Sequence, residues 1–463
     1  MENKDAIIAE LTKQVSILME RIKKLEKEVR ELREENARLK KDSGNSSLPP
    51  SSDIVKPVRK VSRKKVKRKR GGQPGHKKHT RKPFTPEQID HTIEYELSSK
   101  DSAGLEPLDE WYIVQQITLP EKLYYVTEHK ARKYLDPQTG NIITAALPEG
   151  ISKGGLFGGD ITALVAYLKG DCHMSFTTIQ SFLKEILGVK VSRGYLNKII
   201  KNVSKSLAPA YQELIEKLPN EANIGIDETG HKNNGKKHWT WAFQTSEYSL
   251  FHINKSRGSQ VLFDILGKDF AGIINCDFYG AYRKFCRLTE AVAQFCMAHL
   301  IREIRFMAEM TDKKLSIWGK SLLDTIKKMF KTLHNAEKYT SKGYAGKMKR
   351  IKDRFLDKVR RPPDHRLAKK LCRRFKGKAA EDYFRFMTEP NIEPTNNGTE
   401  REIRHAVIDR RITQGTRGNS GMRWCERIWT TIATCKKQNR NVFDFIHQSI
   451  LAHWNNYIHP KLL

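Results

Sequence analysis

The chain lacks the cysteine pattern of a secreted or zinc-bound protein. It contains seven cysteines, an odd number, and no two of them form a CxxC pair. A disulfide framework and a cysteine-rich zinc site are therefore both disfavoured, and a reducing compartment is expected. Long apolar runs are also missing, since no stretch approaches the roughly 20 residues that span a bilayer. The opening residues, MENKDAII, do not resemble a secretory signal. We expect a cytoplasmic protein with no membrane partner.

Acidic residues are scarce relative to basic ones. Lys and Arg number 85 against 53 Asp and Glu, which gives the 463-residue chain a formal net charge of +32. Such an excess repels itself in a compact protein and therefore indicates a polyanionic partner. Nucleic acid fits best, because cations that neutralise phosphates release counterions and gain affinity without reading sequence. The length predicts three or four structural units.

Residues 1–42 carry a heptad repeat. One seam position is held by Ile8, Val15, Ile22, Val29 and Asn36, and the position three residues later by Leu11, Leu18, Leu25, Leu32 and Leu39. β-Branched residues at the first position, Leu at the second and a single Asn favour a parallel two-stranded coiled coil. We expect this segment to make the chain a homodimer or a higher oligomer. The alternative is one amphipathic helix that docks on its own protein.

Residues 43–84 are predicted to form a linker followed by a DNA-contacting tract. The linker is rich in Pro and Ser, and ten of the fifteen residues at 56–70 are Lys or Arg. Such a tract cannot bury a core, and we expect it to become ordered on phosphate; the alternative is a solvated tail. The candidate contacts are Arg63, Lys64, Lys65, Lys67, Arg68, Lys69 and Arg70. A bZIP regulator is excluded, because its basic helix precedes the zipper.

Two modules are predicted next. Residues 85–150 alternate apolar and polar residues between turn signals, which predicts a small β-rich module. Residues 155–215 have a helical pattern and include two short helices around Gly188, with helix-turn-helix spacing. Arg193 and Lys198 on the second helix are candidate DNA contacts. An ordinary helical hairpin is the alternative.

Residues 221–440 are predicted to form a catalytic core, followed by a C-terminal helix at 441–463. Short apolar strands end at Asp227 and at Asp277, with two strands and a helix between them. Hairpin order followed by a crossover places the first and fourth strands side by side, so that both carboxylates lie at one end of a mixed sheet. The predicted fold is therefore a multidomain α+β and α/β architecture.

A third carboxylate is expected from Glu400, with Glu402 as its rival. Hard cations prefer oxygen ligands, and two cations about 4 Å apart can stabilise both the attacking and the leaving oxygen of a phosphoryl transfer. Arg401 and Arg404 flank Glu400 and could meet DNA phosphates as bidentate donors.

Cys296 and His299 have the short spacing of a metal-ligand pair. A satisfied structural pair is one interpretation. The other is an accessory role in catalysis or DNA contact for His299.

The chain resembles the main transposase of the insertion sequence 66 family, of the DDE class with a ribonuclease-H-like core. The resemblance spans essentially the whole chain and rests on the zipper and on the segments NSSLPPSSD (45–53), GGQPGHKKH (71–79), IDETG (226–230), CDFYGAY (276–282), CMAHLIREI (296–304) and NNGTEREIR (396–404). It implies that Asp227, Asp277 and Glu400 bind divalent metal, with two Mg²⁺ or Mn²⁺ ions expected. It also implies that a helical insertion at about 300–390 separates Asp277 from Glu400.

The resemblance also implies a reaction and its partners. The expected substrate is double-stranded DNA, cut at transposon ends and joined to a target by the released 3′-hydroxyl, at the bacterial nucleoid. Accessory proteins of the same element are possible partners. A ribonuclease-H-fold nuclease without strand transfer and an inactive dimeric DNA-binding protein are the alternatives.

One departure from the family concerns zinc. Family members usually carry Cys pairs between the basic tract and the helical segment, whereas residues 1–171 here contain no cysteine. The 85–150 module is therefore expected to be a degenerate zinc-finger-like unit that binds no zinc.

Overall fold

A computed structural model describes residues 2–39, 82–98, 100–101, 104–106, 108–148, 151 and 155–463. The chain divides into two compact units, one formed by residues 1–57 and 131–463 and the other by residues 58–130. The basic tract from Arg63 to Arg70 lies outside the described residues, so its contact with DNA stays a prediction. Each helix of the described part is either too short or too polar to cross a lipid bilayer.

The heptad repeat lies on a single helix, α1 (Glu2–Leu39). Its seam is open to solvent: Leu18 is 55% exposed, Ile22 55% and Leu25 58%. A helix with an apolar stripe on one face gains most of its stability by packing that stripe against a partner. The predicted helix is confirmed, and its pairing into a coiled coil stays a prediction.

The region predicted as a β-rich module holds one short hairpin. Strands β1 (Lys133–Leu135) and β2 (Ile142–Thr144) pair antiparallel. The other described residues between 85 and 148 contain only one turn of 3₁₀ helix. Large apolar side chains in this region lie in solvent instead of in a core: Tyr112 is 95% exposed and Tyr125 is 97% exposed. Alternation alone does not hold a sheet without burial, and the structure has less β structure than the sequence predicts.

Four helices follow: α2 (Gly159–Gly170), α3 (Phe176–Leu187), α4 (Arg193–Ser206) and α5 (Ala208–Lys217). Gly188 adopts a left-handed φ of 67° and ends α3, as a helix C-terminus requires. The Ser192 hydroxyl accepts a hydrogen bond from the Tyr195 N–H and caps α4. The predicted pair of helices around Gly188 is therefore confirmed. Arg193 and Lys198 are exposed on α4.

A five-stranded mixed sheet forms the centre of the larger unit. Its strands are β3 (Asn223–Asn233), β4 (Lys236–Gln244), β5 (Ser249–Asn254), β6 (Ile273–Cys276) and β7 (Val292–Phe295), in the order β5-β4-β3-β6-β7. Helix α6 (Gln260–Leu266) connects β5 to β6, and α7 (Gly280–Leu288) connects β6 to β7. The predicted adjacency of the first and fourth strands is confirmed, because β3 pairs parallel with β6.

Strand β3 is longer than the sequence predicts. The apolar pattern stops at Asp227, but the antiparallel pairing of β3 with β4 continues to Asn233. Beyond the end of β6, the backbone of β3 remains hydrogen-bonded to its hairpin partner, β4. Asp227 is therefore within the strand, at the level where pairing with β6 stops.

The predicted insertion is helical. Its helices are α8 (Met297–Ala308), α9 (Lys313–Leu333), α10 (Ser341–Arg360) and α11 (Arg366–Arg373). The chain then forms α12 (Asn397–Thr413), α13 (Asn419–Lys437) and α14 (Val442–Trp454). Helices α2 and α4 pack on α13 and α14, so the helical segment shares one core with the end of the chain instead of forming a separate domain.

Helix α13 protects the edge of the sheet at β5. Backbone N–H groups of Ser249, Phe251 and Ile253 donate to the side chains of Thr434 (3.2 Å), Thr430 (3.0 Å) and Glu426 (2.7 Å), respectively. Two strand residues span about 6.8 Å and four helix residues about 6 Å, so the two spacings match. An edge strand that would otherwise offer free N–H groups is thereby closed.

We expect Thr430→Val to lower the free energy of unfolding by about 1–3 kcal/mol, because the buried Phe251 N–H would lose its acceptor without any change in side-chain shape. Chemical denaturation measures the loss. The control is Thr431→Val, the same change one residue along α13, where the hydroxyl is not among the β5 partners. Equal losses for both variants would show that the edge contact is not the cause.

Candidate active site

Asp227 lies on β3, and Asp277 directly follows the end of the neighbouring parallel strand β6. Gly225 of β3 is paired with Asn275 of β6, and each aspartate follows its paired residue by two positions. The two carboxylates are therefore at the same end of the sheet, close enough for the charge of Asp277 to act on Asp227. The sequence predicts this juxtaposition, and the register supplies it.

Glu400 is brought to Asp227 by contacts between β3 and the start of α12. The Asn396 side chain donates to the Ile226 carbonyl at 2.8 Å and accepts from the Thr399 hydroxyl at 2.7 Å. The Asn396 N–H donates to Cys296 Sγ at 3.1 Å. Asn396 therefore ties the first turn of α12 to both β3 and α8.

Gly225 allows β3 and α12 to approach closely. A Cβ atom at this position would collide with the Thr399 hydroxyl and lie 3.2 Å from Asn396 Oδ1. The absence of a side chain is what permits the Asn396 and Thr399 contacts. The sequence pattern singles out neither Gly225 nor Asn396, although both lie within the motifs IGIDE and NNGTE.

Asp227 and Asp277 are both largely buried, and the pKa of each carboxyl is raised. Burial raises the pKa of Asp227 well above its usual range, and the charges of Glu228, Asp277 and Glu400 raise it further. Burial also raises the pKa of Asp277, against hydrogen bonding from the Tyr279 N–H and attraction by Arg257. Closely spaced carboxylates that resist ionisation favour a cation between them. Their oxygen donors suit a hard divalent ion such as Mg²⁺ or Mn²⁺.

The side chains of Arg302, His299 and Cys296 lie beside Glu400. Arg302 Nη2 lies 3.0 Å from Glu400 Oε1, and His299 Nδ1 lies 3.7 Å from the same oxygen. Burial, followed by the charge of Arg302, lowers the pKa of His299 to about 3. Ligand atoms of Cys296, His299 and Glu400 all lie within 4.8 Å of one another, so these residues could also hold an ion. Sequence reasoning misses Arg302, for which the only signal is its position after His299 on a shared helix.

The two neighbouring glutamates occupy other surroundings. Glu228 lies in the interior, where Arg257 Nη2 approaches it at 2.6 Å and the Tyr282 hydroxyl donates to it. Burial is the main cause that raises the pKa of Glu228 to about 7. Glu402 lies near Lys437, with 3.8 Å between Nζ and Oε1. Neither glutamate shares the cluster of Cys296, His299 and Glu400.

A cavity of about 460 Å³ adjoins Glu400. It is lined by Glu393, Thr395, Asn397, Glu400, Arg401 and Arg404. Both predicted arginines are thus beside the third carboxylate, where they can meet phosphate oxygens. Arg193 and Lys198 lie on α4, and no described contact of theirs joins this site.

If the carboxylates act on DNA as the sequence predicts, Gly225→Ala should strongly reduce metal-dependent cleavage, since the new methyl group must push α12, and Glu400 with it, away from Asp227. Overpacking of this kind costs about 1–3 kcal/mol. Activity on plasmid DNA and the unfolding midpoint are both measured. Gly346→Ala is the control, because a Cβ atom at Gly346 meets no other atom within 4 Å. Full activity of Gly225→Ala would show that the close approach does not position Glu400.

Comparison with known families is consistent with this geometry. The model of the IS66 family of transposases matches residues 154–423, more than half of the chain. A family of unknown function (DUF6444) matches residues 2–82. A search among curated proteins finds no match.

Proposed function

The chain belongs to the IS66 family of transposases, and we propose that Asp227, Asp277 and Glu400 carry out its cleavage of transposon ends and their transfer into target DNA. One observation supports the proposal above all others. Carboxylates from β3, from the end of β6 and from α12, distant in sequence, lie near one another at one end of the sheet. Burial is the main cause that raises the pKa of Asp227, and the charges of Glu228, Asp277 and Glu400 raise it further. Carboxylates with strongly perturbed pKa values cluster at functional sites.

The donor set fits divalent metal, with Asp227, Asp277 and Glu400 as the residues that would hold it. Two bound Mg²⁺ or Mn²⁺ ions would supply Lewis acidity to the attacking and leaving oxygens. Arg302, 3.0 Å from Glu400, orients that carboxylate. Arg401 and Arg404 line the adjoining cavity and would hold phosphates of the bound strand.

Both chemical steps are phosphoryl transfers that need no oxidant or reductant. In the first, water attacks a phosphodiester at the transposon end, and the 3′-oxygen leaves and takes up a proton. In the second, that 3′-hydroxyl attacks a target phosphodiester, loses its proton and displaces another 3′-oxygen. The same arrangement of carboxylates and arginines serves both steps, because each replaces one oxygen on phosphorus by another.

The catalytic proposal predicts that Asp227→Asn and Glu400→Gln abolish nicking of supercoiled DNA that carries the transposon ends, with Mg²⁺ or Mn²⁺ present. Each change keeps the side-chain size and removes one anionic ligand. Glu402→Gln is the matched control on the same helix and should retain activity. DNA binding is measured in parallel and should persist in all three variants.

The outcomes separate the alternatives. If nicking survives both substitutions, the catalytic site lies elsewhere in the protein. Cleavage without a joined product would favour a nuclease of the same fold. If the wild-type protein binds DNA but does not cleave it, even when the element's accessory proteins are present, an inactive DNA-binding protein is favoured.

We also propose that α1 joins two copies of the chain as a parallel coiled coil, so that each copy can hold one transposon end at the nucleoid. The support is the exposed seam with Leu18 and Leu25 and the single polar seam residue, Asn36, which favours one register.

If α1 dimerises the chain, Leu18→Glu together with Leu25→Glu should yield a monomer in light scattering, because buried like charges would face each other across the seam. Lys13→Gln together with Lys27→Gln changes the net charge equally on the outer face and should leave the dimer intact. A wild-type monomer at micromolar concentration would contradict the proposal.

A further inference from the structure

We propose that α11, in the helical insertion, binds the phosphate backbone of the DNA strand next to the catalytic carboxylates. The proposal rests on the proposed function, since it takes DNA as the ligand, but it concerns residues outside the carboxylate site. Three features carry it: the face that α11 exposes, the counterions that this face lacks, and the anchoring of the helix beside Asp277.

Helix α11 is amphipathic, and its exposed face is entirely cationic. Ala368 and Leu371 are buried. The exposed positions of the helix are Arg366, Lys369, Lys370 and Arg373. Their spacing of three and four residues places them on one face, with neighbouring Cβ atoms about 5–6 Å apart. Four adjacent cations repel one another, so the face is costly unless an anion covers it.

Intramolecular counterions for this face are few. Lys369 pairs with Asp364, just before the helix. Arg366, Lys370 and Arg373 have no ion pair within the described part of the chain, and the segment from Arg366 to Arg374 contains no acidic residue. A solvated face usually mixes both signs of charge. This face does not, which favours a polyanion as its partner.

The C-terminal end of α11 is fixed at the active site. Arg374, the next residue, donates from both terminal nitrogens to Glu303, at 3.0 and 2.6 Å. Its guanidinium also lies 4.7 Å from the ring centre of Phe278, which follows Asp277 directly. The charge of Arg374 reaches Asp277, where it acts to lower the pKa against the larger effect of burial. The C-terminal end of the cationic helix therefore lies near Asp277, and the helix itself is about 12 Å long.

A further cation lies beside this surface. Arg283 is exposed on α7, and its guanidinium lies 4.4 Å from the ring centre of Phe278, the ring that Arg374 also contacts. A strand that enters the carboxylate site would thus meet cations on the side of Asp277, while Arg401 and Arg404 hold it beside Glu400. Contacts to phosphate fix position and register without reading bases.

The test is DNA binding at several salt concentrations, carried out on full-length chains with Asp227→Asn so that cleavage does not intervene. The α11 variant combines Arg366→Gln, Lys369→Gln, Lys370→Gln and Arg373→Gln, which keep helix propensity. The control removes four exposed charges from α9 in the same insertion: Lys320→Gln, Lys327→Gln, Lys328→Gln and Lys331→Gln. Thermal melts confirm that both variants fold.

We expect the α11 variant to lower the slope of log affinity against log salt by roughly three and to weaken binding more than tenfold near physiological salt. The α9 variant should change the slope by less than one. Ethylation interference on transposon-end DNA should locate the lost phosphate contacts within a few nucleotides of the cut.

An unchanged slope in the α11 variant, or equal losses in the α11 and α9 variants, would overturn the proposal. The proposal would also be overturned if the α11 variant lost ethylation interference only at phosphates far from the cut. Failure of the catalytic proposal is seen separately, as nicking that survives Asp227→Asn, because the binding assay does not depend on cleavage.

Discussion

The arrangement of the active site depends on the close approach of β3 and α12 at Gly225. Glu400 is far in sequence from Asp227, with the helical insertion between them, so chain connectivity alone cannot hold the pair together. Asn396 supplies the connection by hydrogen bonds to the Ile226 carbonyl and, through its own N–H, to Cys296. Because these contacts need a residue without a side chain at 225, a glycine on a buried strand is a condition for the carboxylate cluster.

The same contacts impose an electrostatic cost. Asp227 has three carboxylates near it, and burial strengthens their repulsion, as its raised pKa shows. Ion pairs neutralise two carboxylates beside the cluster: Arg257 pairs with Glu228, and Arg374 with Glu303. The same two arginines also act to lower the pKa of Asp277 against burial. Arg302 contacts Glu400 directly. Asp227 remains under the repulsion of its neighbours, which a bound cation would offset under the proposed function.

The sequence predicts the sheet far better than it predicts the surroundings of the site. The order of hairpin, crossover helix and strand forces β3 and β6 together, so the side-by-side position of Asp227 and Asp277 follows from the order of elements alone. The length of β3 does not, because pairing with β4 holds it past Asp227. Arg302 and Asn396 escape sequence reasoning for a different reason: their roles arise from contacts across about a hundred residues, for which no local pattern exists. At residues 85–150, alternation indicates strands, but burial decides whether strands form, and Tyr112 and Tyr125 remain in solvent.

Helix α13 connects α4 to the central sheet within one packed core. Thr430 and Thr434 close the edge of the catalytic sheet at β5, and the same helix packs against α4, which carries Arg193 and Lys198. In a shared core, side chains interdigitate at crystal-like density and transmit displacement instead of absorbing it. If α4 binds DNA, the distance from that contact to Asp227 is therefore set by packing and not by a flexible linker. Under the proposed function, selection of the cut phosphate would then follow from geometry: α4 would fix where the duplex lies, and the sheet would fix which phosphate reaches the carboxylates.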